Sequence, residues 1–524
     1  MTQMMPQSQR LQTDWLERWA LHSPESPALT DYDRGRSYTY KQCHQIVQGL
    51  AARLSQEFGL RRGDRVALLA RNEIESILLF FALHRLGALL APLNFRLTPS
   101  ELKALISDAS VQLLVYEEEF KNSVEQLPSE TRPRHQLGFH GPNSLMSLVE
   151  DSLKSAVDFP HLGQFDDPCM ILYTAGTTGQ PKGVVLSHRA LFWNSINTGL
   201  RLNLTSQDKA LIFLPLFHTG GWNVLTTPFL HHGAHILLSQ KFDPEQILRA
   251  CAEESLTVLF GVPTTMERLS ESPSFASVDL SSVRYAVVGG EPMSLKNIET
   301  WHNKGIPIRQ GYGLTECGPG LFSLHERDSM RKIGSIGQPN FYVETRVVTD
   351  EGHNAPQEEM GELWVRGPMQ MDGYWHNPKA TAEALENGWL KTGDLVKVDP
   401  EGYYYIVGRK KEMYISGGEN VFPAEVEAAI SRLEGVREVA VVGVPHEKWG
   451  ESGRAFISLS TSAKLNEAAV LAHCEKHLAK YKVPSKVDFV DELPKGDSGK
   501  ILKKVLLQQI RQEAKGEQTE SESV

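Results

Sequence analysis

A loop of small and hydroxylated residues between two predicted strands carries the strongest chemical signal in the sequence. The apolar run 169–173 predicts a buried strand, and residues 184–186 predict a second strand. The intervening residues 174–183 read Thr-Ala-Gly-Thr-Thr-Gly-Gln-Pro-Lys-Gly. Glycines allow a tight turn, hydroxyl groups donate hydrogen bonds and the lysine adds positive charge, which together suit a polyphosphate. The candidate phosphate-binding residues are Thr174, Gly176, Thr177, Thr178, Gly179 and Lys182.

The order of residues in this loop differs from that of the common P-loop. In a P-loop, lysine follows glycine directly and is itself followed by serine or threonine. Lys182 instead stands between Pro181 and Gly183. Taken alone, the loop therefore predicts a phosphate site and an ordinary surface turn about equally well.

A second glycine-rich segment, residues 310–316, reads Gln-Gly-Tyr-Gly-Leu-Thr-Glu and follows the predicted strand 306–309. Ligands of α/β proteins bind at the carboxyl ends of sheet strands, where this segment is expected to lie. Tyr312 offers a ring to adenine, Thr315 a hydroxyl to phosphate and Glu316 a carboxylate to Mg²⁺. By itself, the segment is more typical of a glycine-rich turn that ends in a helix cap.

Together, the two segments resemble the nucleotide-binding signatures of the AMP-forming acyl-CoA synthetases, a group within the adenylate-forming enzyme superfamily. The resemblance extends from about residue 39 to Lys500, and the signatures occur in the family's order. It implies an enzyme that activates a small-molecule carboxylic acid with ATP and Mg²⁺, releases pyrophosphate, and transfers the acyl group from AMP to coenzyme A. Chemistry of this kind depends mainly on positioning and electrostatic stabilisation.

The resemblance assigns further residues to the nucleotide and its metal. Asp394, expected at the start of a strand, matches the ligand of the ribose hydroxyls, and Arg409 matches a ligand of ribose or phosphate. Glu316 and Thr174 are implied for the metal. The turn 289–292 matches the segment that contacts adenine. The remaining nucleotide-binding candidates are Gly290, Glu291, Pro292, Gln310, Gly311, Tyr312, Gly313 and Thr315.

The C-terminal part of the chain supplies candidates for both half-reactions. Lys500 follows Ser-Gly, as does the family's catalytic lysine, which bridges the substrate carboxylate and the α-phosphate. Without the resemblance, Lys500 would be interpreted as a surface lysine. Gly417 and Gly418 match the loop that enters the site for thioester formation and borders the pantetheine tunnel. The family alternates between the two reactions by rotating its small domain about a hinge, which maps to Lys411.

The acid-binding pocket is less well determined by the sequence. His218 follows a predicted strand and matches a family position at the pocket entrance, so it is a candidate for catalysis and for substrate binding. Trp222 falls where long-chain fatty acyl-CoA synthetases place a gating tryptophan, with an ordinary core aromatic as the alternative. Gly290 and Gly313 are candidates for the pocket wall. The glycine wall suits an alkyl chain and a planar ring equally, whereas the match at Trp222 favours a medium- or long-chain fatty acid, with an aryl acid such as benzoate or cinnamate as the alternative.

Two other functions share these motifs and remain open. One is a ligase that loads the acyl group onto a carrier protein instead of coenzyme A. The other is a luciferase-like oxygenase.

The elements that must position these residues follow two patterns. Strands and helices alternate up to about residue 310, which favours parallel sheets covered by helices on both faces. After about residue 330, short strands and turns predict a small antiparallel unit, and the α/β pattern returns from Pro423. We predict an α/β fold in which a large N-terminal domain, residues 1–408, contains two doubly wound αβα subdomains and a small β-barrel-like subdomain. Residues 409–524 are predicted to form a small mobile α+β domain.

Charge, cysteine spacing and the predicted segments bear on nucleic-acid binding and on cellular location. The net charge of −10 over 524 residues does not favour nonspecific binding to nucleic acid. The five cysteines lack metal-ligand spacing and are expected to be reduced thiols. Since neither a signal peptide nor a transmembrane segment is predicted, we expect a cytoplasmic protein. Peripheral contact with a membrane and a homodimer remain open.

Overall fold

The structure, a computed structural model, describes residues 14–174, 181–460, 463–496 and 500–521, with side chains described through residue 513. The strands in chain order are β1 Pro27–Asp31, β2 Arg36–Thr39, β3 Arg65–Leu69, β4 Leu89–Pro92, β5 Leu113–Tyr116, β6 His135–Gly138, β7 Pro168–Thr174, β8 Lys182–Ser187, β9 Lys209–Ile212, β10 His235–Leu238, β11 Val258–Gly261, β12 Tyr285–Val288, β13 Ile308–Tyr312, β14 Phe322–Ser323, β15 Ser335–Pro339, β16 Glu344–Val348, β17 Gly361–Arg366, β18 Gly373–Tyr374, β19 Leu385–Glu386, β20 Trp389–Val398, β21 Tyr404–Arg409, β22 Tyr414–Ser416, β23 Glu419–Val421, β24 Val436–His446, β25 Gly450–Leu459 and β26 Lys486–Phe489.

Helices connect most of these strands. In chain order, the α-helices are α1 Trp15–His22, α2 Tyr40–Phe58, α3 Ile74–Leu86, α4 Pro99–Ala109, α5 Lys121–Glu125, α6 Leu145–Lys154, α7 His188–Leu202, α8 Thr226–His231, α9 Pro244–Glu253, α10 Pro263–Ser270, α11 Leu295–Asn303, α12 Pro378–Ala384, α13 Pro423–Ile430, α14 Glu467–His477 and α15 Lys503–Ser521. Within the described ranges, none of the helices combines the length and the apolar character needed to cross a membrane.

The first sheet of the large domain has the strand order β18-β8-β7-β4-β3-β5-β6. Its central strands are parallel, whereas β8 and β18 join in antiparallel orientation. On β3, Val66 and Leu68 pack in the large central core, while Ala67 and Leu69 pack in a second core with α4. Both faces of this sheet are therefore covered, which explains the near-continuous apolar character of its strands.

The second sheet of the large domain has the order β2-β1-β10-β9, and the parallel strands β11, β12 and β13 lie beside β9. The Thr257 backbone N–H donates to the Lys209 carbonyl at 2.9 Å and links the two groups of strands. Ile212 packs in the central core and Leu211 in a separate core on the opposite face. The central core thus lies between the two sheets.

A small antiparallel unit, β14 to β17 with β20 and β21, completes the large domain. Two strand predictions near it are corrected. β13 continues to Tyr312, beyond the predicted end at residue 309, because Gly311 and Tyr312 pair with β14. β20 begins at Trp389, so Asp394 lies within a strand and does not start one. Gly393 has φ of 71°, so β20 bends at this residue but continues through it. Because glycine is typical of turns, the sequence predicted that the strand begins only after Gly393.

The small C-terminal domain has a sheet of order β23-β22-β25-β24, with β26 parallel to β25. Its own core contains Tyr414, Val426, Val441 and Ile457. The predicted α/β architecture with a large N-terminal and a small C-terminal domain is confirmed. The mobility of the small domain remains a prediction.

Candidate active site

The predicted phosphate loop joins two antiparallel strands, β7 and β8, whose ends are Thr174 and Lys182. These two residues are register partners, and the Thr174 hydroxyl donates to the Lys182 carbonyl at 3.4 Å. The loop tip carries Gly176, Thr177, Thr178 and Gly179, which lie outside the described residues. The described ends therefore bring one hydroxyl and one ammonium group to the mouth of the hairpin.

Tyr374 connects Lys182 to the predicted metal ligand Glu316. The Tyr374 hydroxyl donates to Glu316 Oε1 at 2.8 Å, and Lys182 Nζ lies 4.9 Å from the centre of the Tyr374 ring. Burial and the neighbouring carboxylate of Glu316 raise the pKa of Tyr374, so the phenol stays protonated as a donor. Sequence reasoning missed Tyr374, because only the pairing of β18 with β8 brings it to the site.

The oxygen donors near this cluster fit a magnesium ion that is shared with phosphates. Glu316 supplies a carboxylate and Thr174 a hydroxyl group. In the described part of the chain, no group of three histidine, cysteine or acidic side chains forms a complete metal site. Mg²⁺ commonly binds through one or two carboxylates together with substrate phosphates, and this donor set is of that kind.

Tyr312, Asp394 and Arg409 form a second cluster. The Tyr312 hydroxyl donates to Asp394 Oδ2 at 2.6 Å, and Arg409 Nε lies 2.9 Å from Asp394 Oδ1. Asp394 and Arg409 are partners in the β20–β21 ladder, and Asp394 is 2% exposed. The Tyr312 ring packs edge-on against Phe322, with centroids 5.7 Å apart. The cluster presents a fixed carboxylate and guanidinium group, which suit ribose hydroxyls and phosphate.

The turn predicted to contact adenine follows β12 and is held by Gln310. Gln310 Nε2 donates to the carbonyls of Val288 at 3.2 Å and Glu291 at 3.1 Å, and its Oε1 accepts from Met293 N–H at 3.3 Å. The side chain of Gln310 therefore supports the turn that contains Pro292. Gly290 has φ of 87°, a conformation that glycine adopts without strain.

The segment after β13 is held close to the following loop. A Cβ atom on Gly313 would lie 2.3 Å from the Pro319 carbonyl oxygen, so this position requires glycine. Gly311 approaches Gly289, whose added Cβ would lie 3.4 Å from the Gly311 carbonyl oxygen. Thr315 begins a short 3₁₀ helix, Thr315–Cys317, which also carries the metal candidate.

Lys500 of the small domain lies at the same cleft. The next residue, Ile501, donates its backbone N–H to Glu291 Oε1 at 3.3 Å. The Lys500 side chain is exposed at the edge of the cleft, where partial desolvation by the surrounding protein lowers the pKa of its ammonium and Arg409 lowers it further. Asp394 and Glu291 oppose that shift. The structure thus brings Lys500 together with the predicted ribose and adenine segments.

The paired glycines of the predicted thioester loop lie elsewhere. Gly417 and Gly418 form the turn of the β22–β23 hairpin, with φ of 62° and 87°. The Gly417 backbone N–H donates to the Trp449 carbonyl at 2.8 Å. Asn420 on β23 and Phe422 just after the hairpin line a cavity of about 560 Å³ between the two domains. The described contacts do not bring this hairpin to the phosphate strands.

The predicted hinge residue, Lys411, lies in the 3₁₀ helix Lys410–Glu412 between β21 and β22. β21 ends at Arg409, one residue beyond the predicted limit of the large domain. Burial, followed by the neighbouring Arg409, lowers the pKa of Lys411.

Two of the candidate acid-pocket residues, His218 and Trp222, lie beyond the end of β9, whereas Gly290 and Gly313 follow β12 and β13. The His218 ring packs against Phe217, with centroids 4.5 Å apart. Gly220 faces the Phe260 ring, which would lie 3.9 Å from an added Cβ atom. Trp222 is fully buried, and its ring centre lies 5.3 Å from that of Phe80 in the central core. The side chain of Trp222 therefore lies in the core.

Asn194 on α7 connects the acid-pocket segment to the loop that follows Glu316. Its Nδ2 donates to the Asn223 carbonyl at 2.7 Å, and its Oδ1 accepts from Gly320 N–H at 3.0 Å. This fully buried amide thus fixes two loops that are distant in sequence. Sequence reasoning missed Asn194, because an asparagine within a helix gives no signal of such contacts.

Comparison with known proteins agrees with this geometry. Residues 16–375 match the family described as AMP-binding enzyme, and residues 425–500 match the AMP-binding enzyme C-terminal domain. The chain is 38% identical over 492 residues to a feruloyl-CoA synthase from Amycolatopsis sp, covering 93% of this chain and 97% of that protein. It is 37% identical to an indoleacetate–CoA ligase from Aromatoleum aromaticum, covering 97% and 99% of the two chains.

A fatty-acid ligase and a solved structure are also similar. The long-chain-fatty-acid–CoA ligase FadD13 of Mycobacterium tuberculosis is 35% identical over 499 residues, covering 94% of this chain and 97% of that protein. The crystal structure of ATP-bound MatB from Rhodopseudomonas palustris superposes with a TM-score of 0.87 at 33% identity, covering 94% of this chain and 98% of that chain. The chain therefore belongs to the AMP-binding enzyme family and is an AMP-forming acyl-CoA synthetase, an ATP-dependent acid–CoA ligase.

Proposed function

We propose that this ligase activates an aryl-substituted carboxylic acid and that the described domain arrangement is the one used for adenylation. The observation that carries the second point is the contact of Ile501, the residue after Lys500, with Glu291 of the large domain at 3.3 Å. In this arrangement the charges of Arg409, Glu291 and Asp394 act on the pKa of Lys500. A cation there can contact both the carboxylate of the acid and the α-phosphate, where negative charge increases in the transition state.

The residues of the large domain would bind the nucleotide. Asp394 and Arg409 would hold the ribose, and Lys182 with the hydroxyls of its loop would hold the phosphates. Gly290 and Pro292 of the turn 289–292 would border adenine. Glu316 and Thr174 would hold Mg²⁺, which when bound neutralises phosphate charge.

In the first reaction, a carboxylate oxygen of the acid attacks the α-phosphorus, and the bond to pyrophosphate breaks. Lys500 stabilises the charge and keeps its proton. In the second reaction, the sulfur of coenzyme A attacks the acyl carbon, and AMP leaves. The small domain would rotate about Lys411 between the reactions, so that Gly417 and Gly418 border the pantetheine arm. On this proposal, the two moving units meet at Lys411, so Arg409, which the predicted boundary places in residues 409–524, stays with β21 of the large domain.

Two observations support an aryl acid. Feruloyl-CoA synthase and indoleacetate–CoA ligase, two of the similar proteins, act by name on aromatic acids. The fatty-acid prediction depended on Trp222, which is buried against Phe80 and so does not favour an open alkyl channel.

A medium- or long-chain fatty acid is the second candidate, favoured by the similarity to FadD13. A pyrophosphate-release screen separates the two. It should contain ferulate, cinnamate, benzoate, indoleacetate, octanoate, palmitate and 2-succinylbenzoate, each with and without coenzyme A. We expect an aryl acid to give the highest kcat/KM and a CoA thioester. Selective turnover of octanoate or palmitate would overturn the aryl proposal.

Further arms of the screen test which thiol accepts the acyl group and whether the protein acts as an oxygenase. Acyl-adenylate that accumulates with coenzyme A present would favour a carrier protein as acceptor, and light emission with luciferin would favour the oxygenase. A cytoplasmic location, a homodimer and contact with a membrane surface remain predictions from the sequence.

A further inference from the structure

Glu291 makes a contact between the two domains next to the proposed catalytic lysine. It lies in the turn after β12 of the large domain, and its Oε1 accepts the backbone N–H of Ile501 at 3.3 Å. Ile501 directly follows Lys500. A hydrogen bond from a backbone N–H to a carboxylate is charge-assisted, so it favours the orientation in which it forms.

The turn that carries Glu291 is itself rigidly supported. Gln310 donates to its backbone carbonyl at 3.1 Å and to that of Val288 at 3.2 Å, and Gly290 takes the left-handed conformation that the turn requires. In the described part of the chain, the Ile501 N–H is the hydrogen-bond partner found for the Glu291 carboxylate. The carboxylate is therefore aimed from a fixed turn at the lysine segment.

The charges are arranged to hold the lysine. Burial raises the pKa of Glu291, while the ammonium of Lys500 and the Ile501 N–H oppose the rise. In turn, Glu291 and Asp394 oppose the lowering of the pKa of Lys500 that burial and Arg409 produce. A negative charge at position 291 thus helps to keep the ammonium protonated within a cleft that disfavours its charge.

We propose that Glu291 is a positioning residue that docks the Lys500 segment onto the large domain for adenylation. This inference rests on the proposed role of Lys500. It assigns the Glu291 side chain to the lysine segment, whereas the sequence assigned the residue to the adenine turn. Rotation of the small domain must break the contact, so Glu291 favours the adenylation orientation over the thioester-forming one.

Two variants of Glu291 separate docking from nucleotide binding. Glu291→Ala removes the acceptor and the charge, whereas Glu291→Gln keeps an acceptor oxygen for the Ile501 N–H. We expect Glu291→Ala to lower kcat for acid-dependent ATP–pyrophosphate exchange by about 10- to 100-fold, with the KM for ATP unchanged. Glu291→Gln should recover part of that loss. Thioester formation from supplied acyl-adenylate should be undiminished in both variants, which also demonstrates that they fold.

Glu299→Ala is a matched control, because Glu299 is exposed on α11 of the same region. It should leave both half-reactions unchanged. A raised KM for ATP with unchanged kcat in Glu291→Ala would make Glu291 a nucleotide contact and overturn the docking role. Equal losses in both half-reactions would also overturn it, since docking should affect adenylation alone.

A double-mutant cycle with Lys500 distinguishes the inference from the function on which it rests. If Glu291 acts through Lys500, Glu291→Ala should have a lower single-turnover rate of adenylation than the wild-type enzyme. The double variant should then be no slower than Lys500→Ala alone. An equal additional loss in the Lys500→Ala background would overturn the docking role and leave the role of Lys500 intact. Unchanged adenylation in Lys500→Ala alone would overturn both.

Discussion

Replacement of Tyr374 by phenylalanine tests whether the phenol organises the proposed magnesium site. The hydroxyl donates to Glu316 Oε1 at 2.8 Å, and the ring lies 4.9 Å from Lys182 Nζ. Tyr374→Phe removes the hydrogen bond and keeps the aromatic face. The variant therefore removes the hydrogen bond to the Glu316 carboxylate but keeps the aromatic ring next to Lys182.

The size of the effect follows from the type of hydrogen bond. A hydrogen bond to a charged group contributes about 1.5–3 kcal/mol. Loss of a partner that orients a metal ligand typically costs about 10- to 100-fold in metal affinity, or about 1.4–2.7 kcal/mol. The two estimates agree, so we expect the Mg²⁺ concentration for half-maximal adenylation to rise by about 10- to 100-fold.

The assay is ATP–pyrophosphate exchange at fixed ATP over a range of Mg²⁺ concentrations, together with calorimetry of ATP binding without metal. Metal-free ATP binding should be unchanged in Tyr374→Phe and weakened in Tyr374→Leu, because leucine also removes the ring beneath Lys182. Tyr40→Phe is a control: its buried hydroxyl donates to the Ala234 carbonyl at 2.7 Å, far along the chain from the site motifs. It should cost about 1 kcal/mol of stability without changing the Mg²⁺ dependence.

An unchanged Mg²⁺ dependence in Tyr374→Phe would refute the reasoning. So would an equal loss of metal-free ATP binding in the phenylalanine and leucine variants, since that would make the hydroxyl a nucleotide contact.

Three other predictions follow from the site and the core. Lys500→Ala should lower adenylation at least about 100-fold, because it removes a preorganised charge, and leave thioester formation from supplied acyl-adenylate largely intact; equal losses would contradict this division. Lys411→Pro should do the reverse by stiffening the hinge, and undiminished thioester formation would remove Lys411 from that role. Burial lowers the pKa of His188 to about 3, and its ring stacks on His84 at 3.5 Å. An unfolded histidine binds a proton below about pH 6.5, whereas folded His188 binds one only near pH 3, so this residue alone should lower the free energy of unfolding by about 1.4 kcal/mol per pH unit between those two values. His188→Phe should flatten the slope in thermal unfolding, and an unaltered slope would exclude this histidine as its source.

The alternation of strands and helices up to about residue 310 could be predicted because local sequence signals mark where its elements begin and end. Thr39 caps α2 through a capping box with Gln42, and Asp243 caps α9 directly before Pro244. Gly87 ends α3 with φ of 75°. Such signals act over one turn of chain, so they can be seen in the sequence.

The remaining features depend on contacts between distant segments. Tyr374 reaches Glu316 through a sheet pairing, and Glu291 meets Ile501 across a domain boundary. Asp394 was identified by resemblance, but its place within β20 was not, because Gly393 gives the segment the character of a turn. Motifs indicate groups that would touch the nucleotide, whereas the groups that hold them in place have no local pattern.

The proposed position of the hinge agrees with the point at which contacts with the large domain end. Arg409, the last residue of β21, is fixed to Asp394 by ladder pairing and by an ion pair of 2.9 Å. Lys410 pairs with Asp350 at 2.9 Å. Lys411 has no ion pair among the residues that the structure describes.

After residue 413, the chain is fixed by contacts within the small domain. Tyr414 begins β22 and is buried in the small domain's core, so we expect the proposed rotation to be taken up within residues 411–413. Arg409 would then stay at the ribose while Lys500 and the Gly417–Gly418 hairpin move together as one body. Since the contact of Ile501 with Glu291 forms in one orientation, that contact and the turn at residues 411–413 are where we expect the choice between the two reactions to be set.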